Sequence, residues 1–217
     1  MIRAVFFDVG ETLVDETRQW ASWAEWLGVP VLTFCAVLGA VIERGEHHRR
    51  VFEYLAPGFD VSREAAARDA AGRGYVIERR DLYSDALPTL EALRAAGLVV
   101  GIAGNQPEET EAALAMSGVA VDHVASSARW GVEKPSPAFF QRIVDLAGVP
   151  PGEIAYVGDR LDNDVLPAVA AGMTAILVVR GPWGVLHARR PEAAQAHAMI
   201  RDLSDLPAVI AALNGGS

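Results

Sequence analysis

Residues Ala4–Phe7 read AVFF, and the five residues that follow, Asp8–Thr12, read DVGET. A short β-branched and aromatic run that ends in an acid and a glycine is typical of a buried strand with polar groups at its carboxyl end. Four further runs of this kind are Val99–Ala103, His123–Ala125, Ile154–Val157 and Ala175–Val179. Because these runs are almost entirely apolar, they favour a parallel sheet that is covered on both faces.

Helical patterns lie between the predicted strands, and each one is followed directly by a glycine. They are Leu87–Ala96, Ala138–Ala147 and Asp164–Ala171. Ser136 precedes the second pattern as a predicted N-cap, with a proline in the first turn. Glycine is the preferred residue just after a helix. Strands that alternate with helices predict a Rossmann-like α/β fold with helices on both faces of the sheet.

Residues 16–81 interrupt this alternation because they are helical throughout. The predicted helices are Thr17–Leu27, Val31–Tyr54 with room for one break, and Ser62–Arg79 with Ser62 as its N-cap. A helical block inserted after the first strand has the character of a lid over the strand ends. We therefore expect an α/β core formed by residues 1–15 and 82–217, with a helical cap formed by residues 16–81.

The composition of the chain indicates which partners it can bind and in which cellular compartment it works. The chain has 217 residues and a formal net charge of −9, which disfavours binding to nucleic acid and to anionic membranes. Cys35 is the single cysteine, so no intrachain disulfide can form, which fits the cytoplasm. The apolar run Gly28–Ile42 is shorter than the roughly 18–20 residues of a membrane span and contains a proline, so we interpret it as a buried helix. Nothing in the sequence demands more than a monomer.

Polar residues that carry chemistry follow four of the predicted strands. They are Asp8, Gly10, Glu11 and Thr12 after the first, Gly104 and Asn105 after the second, Lys134 after the third, and Asp159, Asp162 and Asp164 after the fourth. Ligands of open α/β sheets bind beyond the carboxyl ends of the strands. Acids that crowd at this edge repel one another unless a cation compensates them. A hard divalent ion such as Mg²⁺, with carboxylate, carbonyl and phosphate oxygens as ligands, fits this set.

Three motifs in this order resemble those of the haloacid dehalogenase superfamily of hydrolases. They are Val5–Leu13 (VFFDVGETL), Lys134–Pro137 (KPSP) and Val157–Asp164 (VGDRLDND). The helical block between the first two motifs is similar to the C1 cap of that superfamily. The resemblance covers nearly the whole chain, and it implies a phosphatase-like hydrolase that acts on a small phosphorylated metabolite with Mg²⁺ as cofactor.

The resemblance implies a role for each matching residue. Asp8 matches the nucleophile that forms an aspartyl-phosphate, and Lys134 matches the lysine that neutralises nucleophile and phosphoryl charge. Asp8, the carbonyl of Gly10 and Asp159 match the metal ligands. Asp164 matches the last acid of the fourth motif, which holds a metal-bound water or Lys134 from behind. Thr12 matches the threonine that steadies the loop.

Two positions depart from the superfamily pattern. Gly10 stands where phosphatases carry a second aspartate, the general acid and base, and where dehalogenases often carry tyrosine. Gly104 stands where a serine or threonine contacts phosphate, which leaves the Gly104 amide and the Asn105 side chain as the predicted phosphate donors. Glu11 is a further candidate for protonating the leaving group.

Two other functions remain open at this point. A 2-haloacid dehalogenase needs no metal in this superfamily, and a binding or regulatory protein could keep the fold without turnover. The helical spacing of Trp20, Trp23 and Trp26 favours core packing, with substrate contact as the alternative. No motif in the sequence names the substrate.

Overall fold

The computed structural model describes residues 1–215, which include a parallel sheet of six strands. In chain order the strands are β1 (Ala4–Phe7), β2 (Val99–Gly104), β3 (His123–Ser126), β4 (Ile154–Gly158), β5 (Thr174–Val178) and β6 (Ala198–Ile200). Their order across the sheet is β3-β2-β1-β4-β5-β6, and each neighbouring pair is parallel. This is the strand order of a doubly wound Rossmann sheet, so the predicted fold class is confirmed.

The five strands predicted from the sequence are present, each within one residue of its predicted bounds. The sixth strand, β6, was not predicted. It has only three residues, lies at the edge of the sheet and leaves Met199 54% exposed. A strand this short and this exposed carries no apolar run from which it could be recognised.

The central strand β1 is buried on both faces of the sheet. Val5 and Phe7 belong to one hydrophobic cluster, and Ala4 and Phe6 belong to another. Successive side chains of a strand point to opposite faces, so these two clusters lie on opposite sides of the sheet. Burial on both sides explains why the strand is apolar at every position.

Eleven α-helices accompany the sheet within the described residues. They are α1 (Thr17–Leu27), α2 (Val31–Glu43), α3 (Arg50–Leu55), α4 (Val61–Ala70), α5 (Ala86–Ala95), α6 (Glu109–Met116), α7 (Ser127–Trp130), α8 (Pro137–Ala147), α9 (Leu166–Ala170), α10 (Gly181–His187) and α11 (Leu206–Gly215). Helix α8 begins and ends as predicted: Ser136 Oγ accepts a hydrogen bond from the Ala138 amide at 3.3 Å, and Gly148 follows with φ +64°.

The chain forms two compact units, one made of residues 1–15 with the chain from Ile77 onward and the other of residues 16–76. The second boundary therefore lies at Val76, whereas the sequence placed it at Asp81. The difference has a physical cause in the first unit. The Asp15 amide donates to the Asp81 carbonyl at 2.7 Å, and the Tyr83 amide donates to the Leu13 carbonyl at 3.0 Å. The residues just before 82 are thus tied to the segment that follows β1.

Within residues 16–76, helix α1 has the predicted bounds, and the predicted helix Val31–Tyr54 is broken between α2 and α3. The predicted helix Ser62–Arg79 is wrong in length and in its cap. Asp60 is the N-cap, since its Oδ1 accepts from the amides of Ser62 and Arg63 at 3.0 and 3.1 Å. The helix ends at Ala70 because Gly72, with φ +66°, turns the chain into a left-handed conformation.

The tryptophan stripe of α1 packs inside this unit. Trp20 and Trp23 are buried, and the Trp23 ring lies edge-on to Phe52 at 4.9 Å between centroids. Phe52 in turn stacks on Phe59 at 5.2 Å. Trp26 is held at its polar tip, where Nε1 donates to Glu64 at 3.0 Å. The core-packing interpretation of Trp20 and Trp23 is confirmed.

Among the described residues, no single helix has both the length and the apolar composition of a membrane span. Helices α1 and α2 meet that criterion only as a pair, and they are bent by 112° relative to each other. The predicted buried helix corresponds to α2, which buries Phe34, Leu38, Val41 and Ile42 but leaves Leu32 82% exposed.

Candidate active site

The candidate site lies where the strand order of the sheet reverses. Strands β1 and β4 are neighbours there, with Phe7 opposite Val157, and their carboxyl ends lead into Asp8 and Asp159. The Asp8 amide donates to the Val157 carbonyl at 2.9 Å, so the pairing continues to the first acid itself. A crevice at such a switch point is the usual ligand site of an open α/β sheet. The topology therefore brings together two acids that are 151 positions apart (159 − 8).

Lys134 reaches these acids from the loop between α7 and α8. Its Nζ lies 2.7 Å from Asp8 Oδ1 and 2.6 Å from Asp164 Oδ1, and its side chain is only 2% exposed. Burial by itself lowers the pKa of an ammonium, but the carboxylates of Asp164 and Asp8 outweigh it and hold the pKa of Lys134 well above its ordinary value. Lys134 is therefore charged at any physiological pH and holds both carboxylates in place.

Asn105, which follows β2, fixes the main chain of Lys134. Its Oδ1 accepts from the Lys134 amide at 2.7 Å, and its Nδ2 donates to the Lys134 carbonyl at 2.9 Å. The sequence interpretation assigned the Asn105 side chain directly to phosphate. In the structure the carboxamide instead makes a two-point clamp on the backbone of the lysine. A carboxamide has one acceptor oxygen and one donor nitrogen, so it can bind the main-chain amide and the main-chain carbonyl of the same residue.

Asp164 is held from behind by the turn that follows β4. The residues Leu161–Val165 form a π-helical turn, and the Arg160 amide donates to Asp164 Oδ2 at 3.0 Å. Gly158 leaves room for this carboxyl, because a Cβ at that position would overlap the Asp164 side chain. Burial raises the pKa of Asp164 to about 6, against the opposing effect of Lys134. The predicted helix Asp164–Ala171 thus begins as a π-turn that aims one acid at Lys134.

Asp159 is the acid with an unused oxygen. It is 1% exposed, and its Oδ2 has no hydrogen-bond partner among residues 1–215. Burial, and then the negative charges of Asp164, Asp8 and Glu11, raise the pKa of Asp159 well above its ordinary value. A buried carboxylate oxygen without a partner is costly unless something positive binds it.

Three carboxylates of this site converge closely enough to hold one ion. One oxygen from each of Asp8, Asp159 and Asp164 lies within 4.8 Å of the others, and all three residues are buried. Opposite them stands a single ammonium, that of Lys134. Hard divalent cations take oxygen ligands of this kind, and the unpartnered Asp159 oxygen offers one. The residues present therefore fit a divalent cation.

The loop that follows β1 places the remaining residues of the first motif. Thr12 is fully buried, and its Oγ1 has no partner among the described residues. Glu11 is 5% exposed, and its Oε2 accepts from the Tyr83 hydroxyl at 2.6 Å. Gly104 borders the nucleophile candidate directly, since a Cβ there would lie 2.8 Å from Asp8 Oδ1. A serine or threonine at position 104 would thus crowd Asp8 in its present rotamer.

Sequence reasoning missed several residues around the site. Tyr156 lies under Lys134, with the ammonium 5.5 Å from its ring centroid, and its hydroxyl donates to the Ala103 carbonyl at 2.7 Å. As the one polar-tipped side chain in β4, it could have been noticed. Tyr83 and Arg180 are 72 and 168 positions away from the loop residues they bind, and no spacing points to them.

Asp162, an open alternative to Asp164, lies outside the cluster and pairs with Arg160 instead.

A family model described as haloacid dehalogenase-like hydrolase matches residues 2–172. This chain belongs to the haloacid dehalogenase-like hydrolases. It is 31% identical over 211 residues to a glyceraldehyde 3-phosphate phosphatase of Methanopyrus kandleri, a match that covers 88% of this chain and 90% of that protein. The haloacid dehalogenase-like hydrolase described here is accordingly an enzyme.

Two solved structures show the same architecture. A phosphatase of this superfamily from Thermococcus onnurineus matches with a TM-score of 0.62 at 23% identity, over 96% of this chain and 98% of that one. A 2-haloacid dehalogenase from Pseudomonas syringae pv. Tomato DC3000 matches with a TM-score of 0.57 at 27% identity, over 98% of this chain and 100% of that one. The fold is thus shared by members named for two different reactions.

Proposed function

We propose that this hydrolase is a Mg²⁺-dependent phosphoric monoester hydrolase in which Asp8 is the nucleophile. The observation that carries the proposal is the position of Lys134, whose ammonium contacts Asp8 and Asp164 while the Asp159 Oδ2 beside them has no partner in the part of the chain that the structure describes. The Lys134 ammonium contacts two of the three clustered acids, which leaves the Asp159 oxygen available to a second cation. A phosphate ester, itself an anion, can then approach the carboxylate that attacks it.

The chain's own residues supply the nucleophile and its positioning. A carboxylate oxygen of Asp8 attacks phosphorus, the bond from phosphorus to the leaving oxygen breaks, and an aspartyl-phosphate forms. Lys134 restrains the attacking carboxylate and offsets the charge that the phosphoryl oxygens bring. Water then attacks the phosphorus, which releases inorganic phosphate and restores the Asp8 carboxylate. The main-chain amide of Gly104 is the proposed donor to phosphate.

Asp8, Asp159 and the carbonyl of Gly10 would hold the Mg²⁺, with Asp164 behind them. When bound, the ion supplies a positive charge that screens the nucleophile and the phosphate from each other. Asp159 Oδ2 is available for this role. Thr12 is proposed to steady the loop that follows Asp8.

A single assay tests the proposal. The purified protein should hydrolyse an aryl phosphate with Mg²⁺ present and lose that activity when a chelator is added. Asp8→Asn should reduce the rate by at least about a thousandfold, as removal of a nucleophile does. Asp162→Asn is the matched control, because this acid lies in the neighbouring loop with a side chain 54% exposed. Equal rates with and without chelator, or a mild effect of Asp8→Asn, would contradict the mechanism.

The names of the relatives support a substrate class. We propose a small phosphorylated metabolite, and glyceraldehyde 3-phosphate is the first compound to test because the phosphatase of Methanopyrus kandleri is named for it. Residues 16–76 are proposed to act as the helical cap of the family. A net charge of −9 and a single cysteine support an enzyme of the cytoplasm that binds neither nucleic acid nor membrane.

The second candidate is removal of halide from a 2-haloacid. It is favoured by the 27% identity to the Pseudomonas syringae dehalogenase. Gly10 in place of tyrosine and the unpartnered oxygen of Asp159 speak against it. Chloride release from 2-chloropropionate with chelator present would identify this activity.

A further inference from the structure

The backbone of Glu11 has an unusual conformation. Among residues 1–215 it is the one non-glycine residue with φ in the left-handed region, at +52°. Residues with long side chains seldom adopt this conformation, because the Cβ crowds the neighbouring carbonyl. Such conformations persist where surrounding contacts enforce them, and they concentrate at functional sites. Glu11 directly follows Gly10, so its φ sets the orientation of the peptide plane that carries the Gly10 carbonyl.

Glu11 is held by its main chain within the loop and by its side chain from outside the loop. The Tyr83 hydroxyl donates to Oε2 at 2.6 Å, and the Glu11 amide donates to the Val14 carbonyl at 2.7 Å. Gly181, at the start of α10, packs against the carboxylate so closely that a Cβ there would lie 2.5 Å from Oε2. The carboxylate is therefore enclosed from two directions.

Arg180 links these contacts to the rest of the loop. Its guanidinium carbon lies 3.9 Å from the centroid of the Tyr83 ring, and its Nη2 donates to the Thr12 carbonyl. Its Nη1 donates to both carboxylate oxygens of Asp85, at 2.9 and 2.7 Å. Asp85 is itself fixed by the Leu203 amide at 2.7 Å. Two distant parts of the chain thus contact the loop that follows Asp8, and a third, at Leu203, fixes Asp85 behind them.

We propose that Glu11 is a positioning residue, whose bond to Tyr83 holds the Gly10–Glu11 peptide in the orientation that lets the Gly10 carbonyl bind the divalent cation. The inference rests on the proposed function for the identity of the cation. Glu11 acts through the backbone. The hydrogen bond of its side chain to Tyr83 holds the residue in place, and this restrains the peptide plane between Gly10 and Glu11. The left-handed φ is retained because it gives that orientation.

The decisive variant is Tyr83→Phe, which removes the hydroxyl and keeps the ring under Arg180. Its matched control is Tyr54→Phe, because the Tyr54 hydroxyl also contacts a glutamate, Glu46, at 3.1 Å, but on a residue that is 47% exposed. Two readouts need no substrate: amide hydrogen exchange of the peptide covering residues 8–14 in metal-free protein, and calorimetric titration with Mg²⁺. A third readout is kcat at saturating Mg²⁺.

Tyr83→Phe should speed exchange in residues 8–14 and weaken Mg²⁺ binding, each about tenfold, the effect of one hydrogen bond to a charged group. The value of kcat at saturating Mg²⁺ should stay within about twofold, since the attacking groups are unchanged. Tyr54→Phe should match the wild type in all three. Unchanged exchange, or faster exchange with unchanged Mg²⁺ binding, would overturn the inference.

Glu11→Gly separates the contribution of the side chain from that of the backbone conformation. Glycine adopts φ +52° without strain, so if the side chain does nothing the variant should bind Mg²⁺ as tightly as the wild type. If Glu11 is an anchor, Mg²⁺ binding should weaken about tenfold or more despite the better backbone preference. A wild type that binds Mg²⁺ but hydrolyses no phosphate ester refutes only the proposed function. If the wild type is active and both variants bind Mg²⁺ as tightly as it does, only the inference is refuted. A wild type that binds no Mg²⁺ refutes both.

Discussion

Replacement of Asp159 by asparagine is expected to stabilise the metal-free protein and to abolish its response to Mg²⁺. Asp159 is 1% exposed, and its Oδ2 has no partner within the described part of the chain. A buried charged group left without a partner costs about 2 kcal/mol or more. Asparagine keeps the shape and removes the charge. For a chain of this size, about 2 kcal/mol corresponds to a rise in melting temperature of about 4–8 °C.

The difference between the two proteins should depend on pH in a defined direction. Burial and neighbouring carboxylates raise the pKa of Asp159 in the folded state. As pH rises above the unfolded value of about 3.9, the unfolded chain loses the proton while the folded chain keeps it, so the free energy of unfolding of the wild type falls. The fall ends once pH exceeds the folded pKa. The advantage of Asp159→Asn should therefore be absent near pH 3.5 and should grow towards neutral pH.

Thermal melts with chelator or with Mg²⁺ measure both effects. At 10 mM Mg²⁺ and a Kd of about 1 mM, the wild type should gain about 1.4 kcal/mol, and the variant should gain nothing. Asp162→Asn, which removes a carboxyl that is 54% exposed, should melt and respond as the wild type does. A metal-free Asp159→Asn protein that melts below the wild type, or that still gains stability from Mg²⁺, would refute the reasoning.

Three further changes test other parts of the site. Gly10→Asp should raise the hydrolysis of alkyl phosphates by about ten- to a hundredfold and leave aryl phosphates nearly unchanged, because it restores a general acid; a leaving-group series on both proteins checks this. Gly158→Ala should lower kcat by at least about tenfold, because its Cβ overlaps the Asp164 carboxyl, whereas Gly152→Ala, whose Cβ meets open space, should have no effect on kcat. His187 is buried and accepts a main-chain hydrogen bond, and burial lowers its pKa to about 4. As pH falls from 6.5 to 4, the free energy of unfolding of the wild type should therefore fall by about 2–3 kcal/mol relative to that of His187→Asn, as measured by urea unfolding at each pH.

The sequence predicted the sheet well because its strands are buried on both faces. Apolar runs such as Ile154–Val157 can be recognised directly, whereas β6 carries no such run at its exposed edge. Helix ends were predictable where the cap was local, as at Ser136 and Gly148. The cap at Asp60 was missed because the neighbouring Ser62 is an equally good residue for the position, and only the geometry of the turn selects between them.

What the sequence determined by itself is the family and the prediction that Asp8, Lys134 and Asp159 lie together at one edge of the sheet, because each stands directly after a strand or in a short motif. The tertiary structure alone decided which partners these residues have. Asn105 binds the backbone of Lys134, and Glu11 binds Tyr83 across 72 positions of sequence. Local spacing encodes what a strand or turn needs, but contacts between distant segments depend on how the sheet brings them together, and no periodicity in the chain records that.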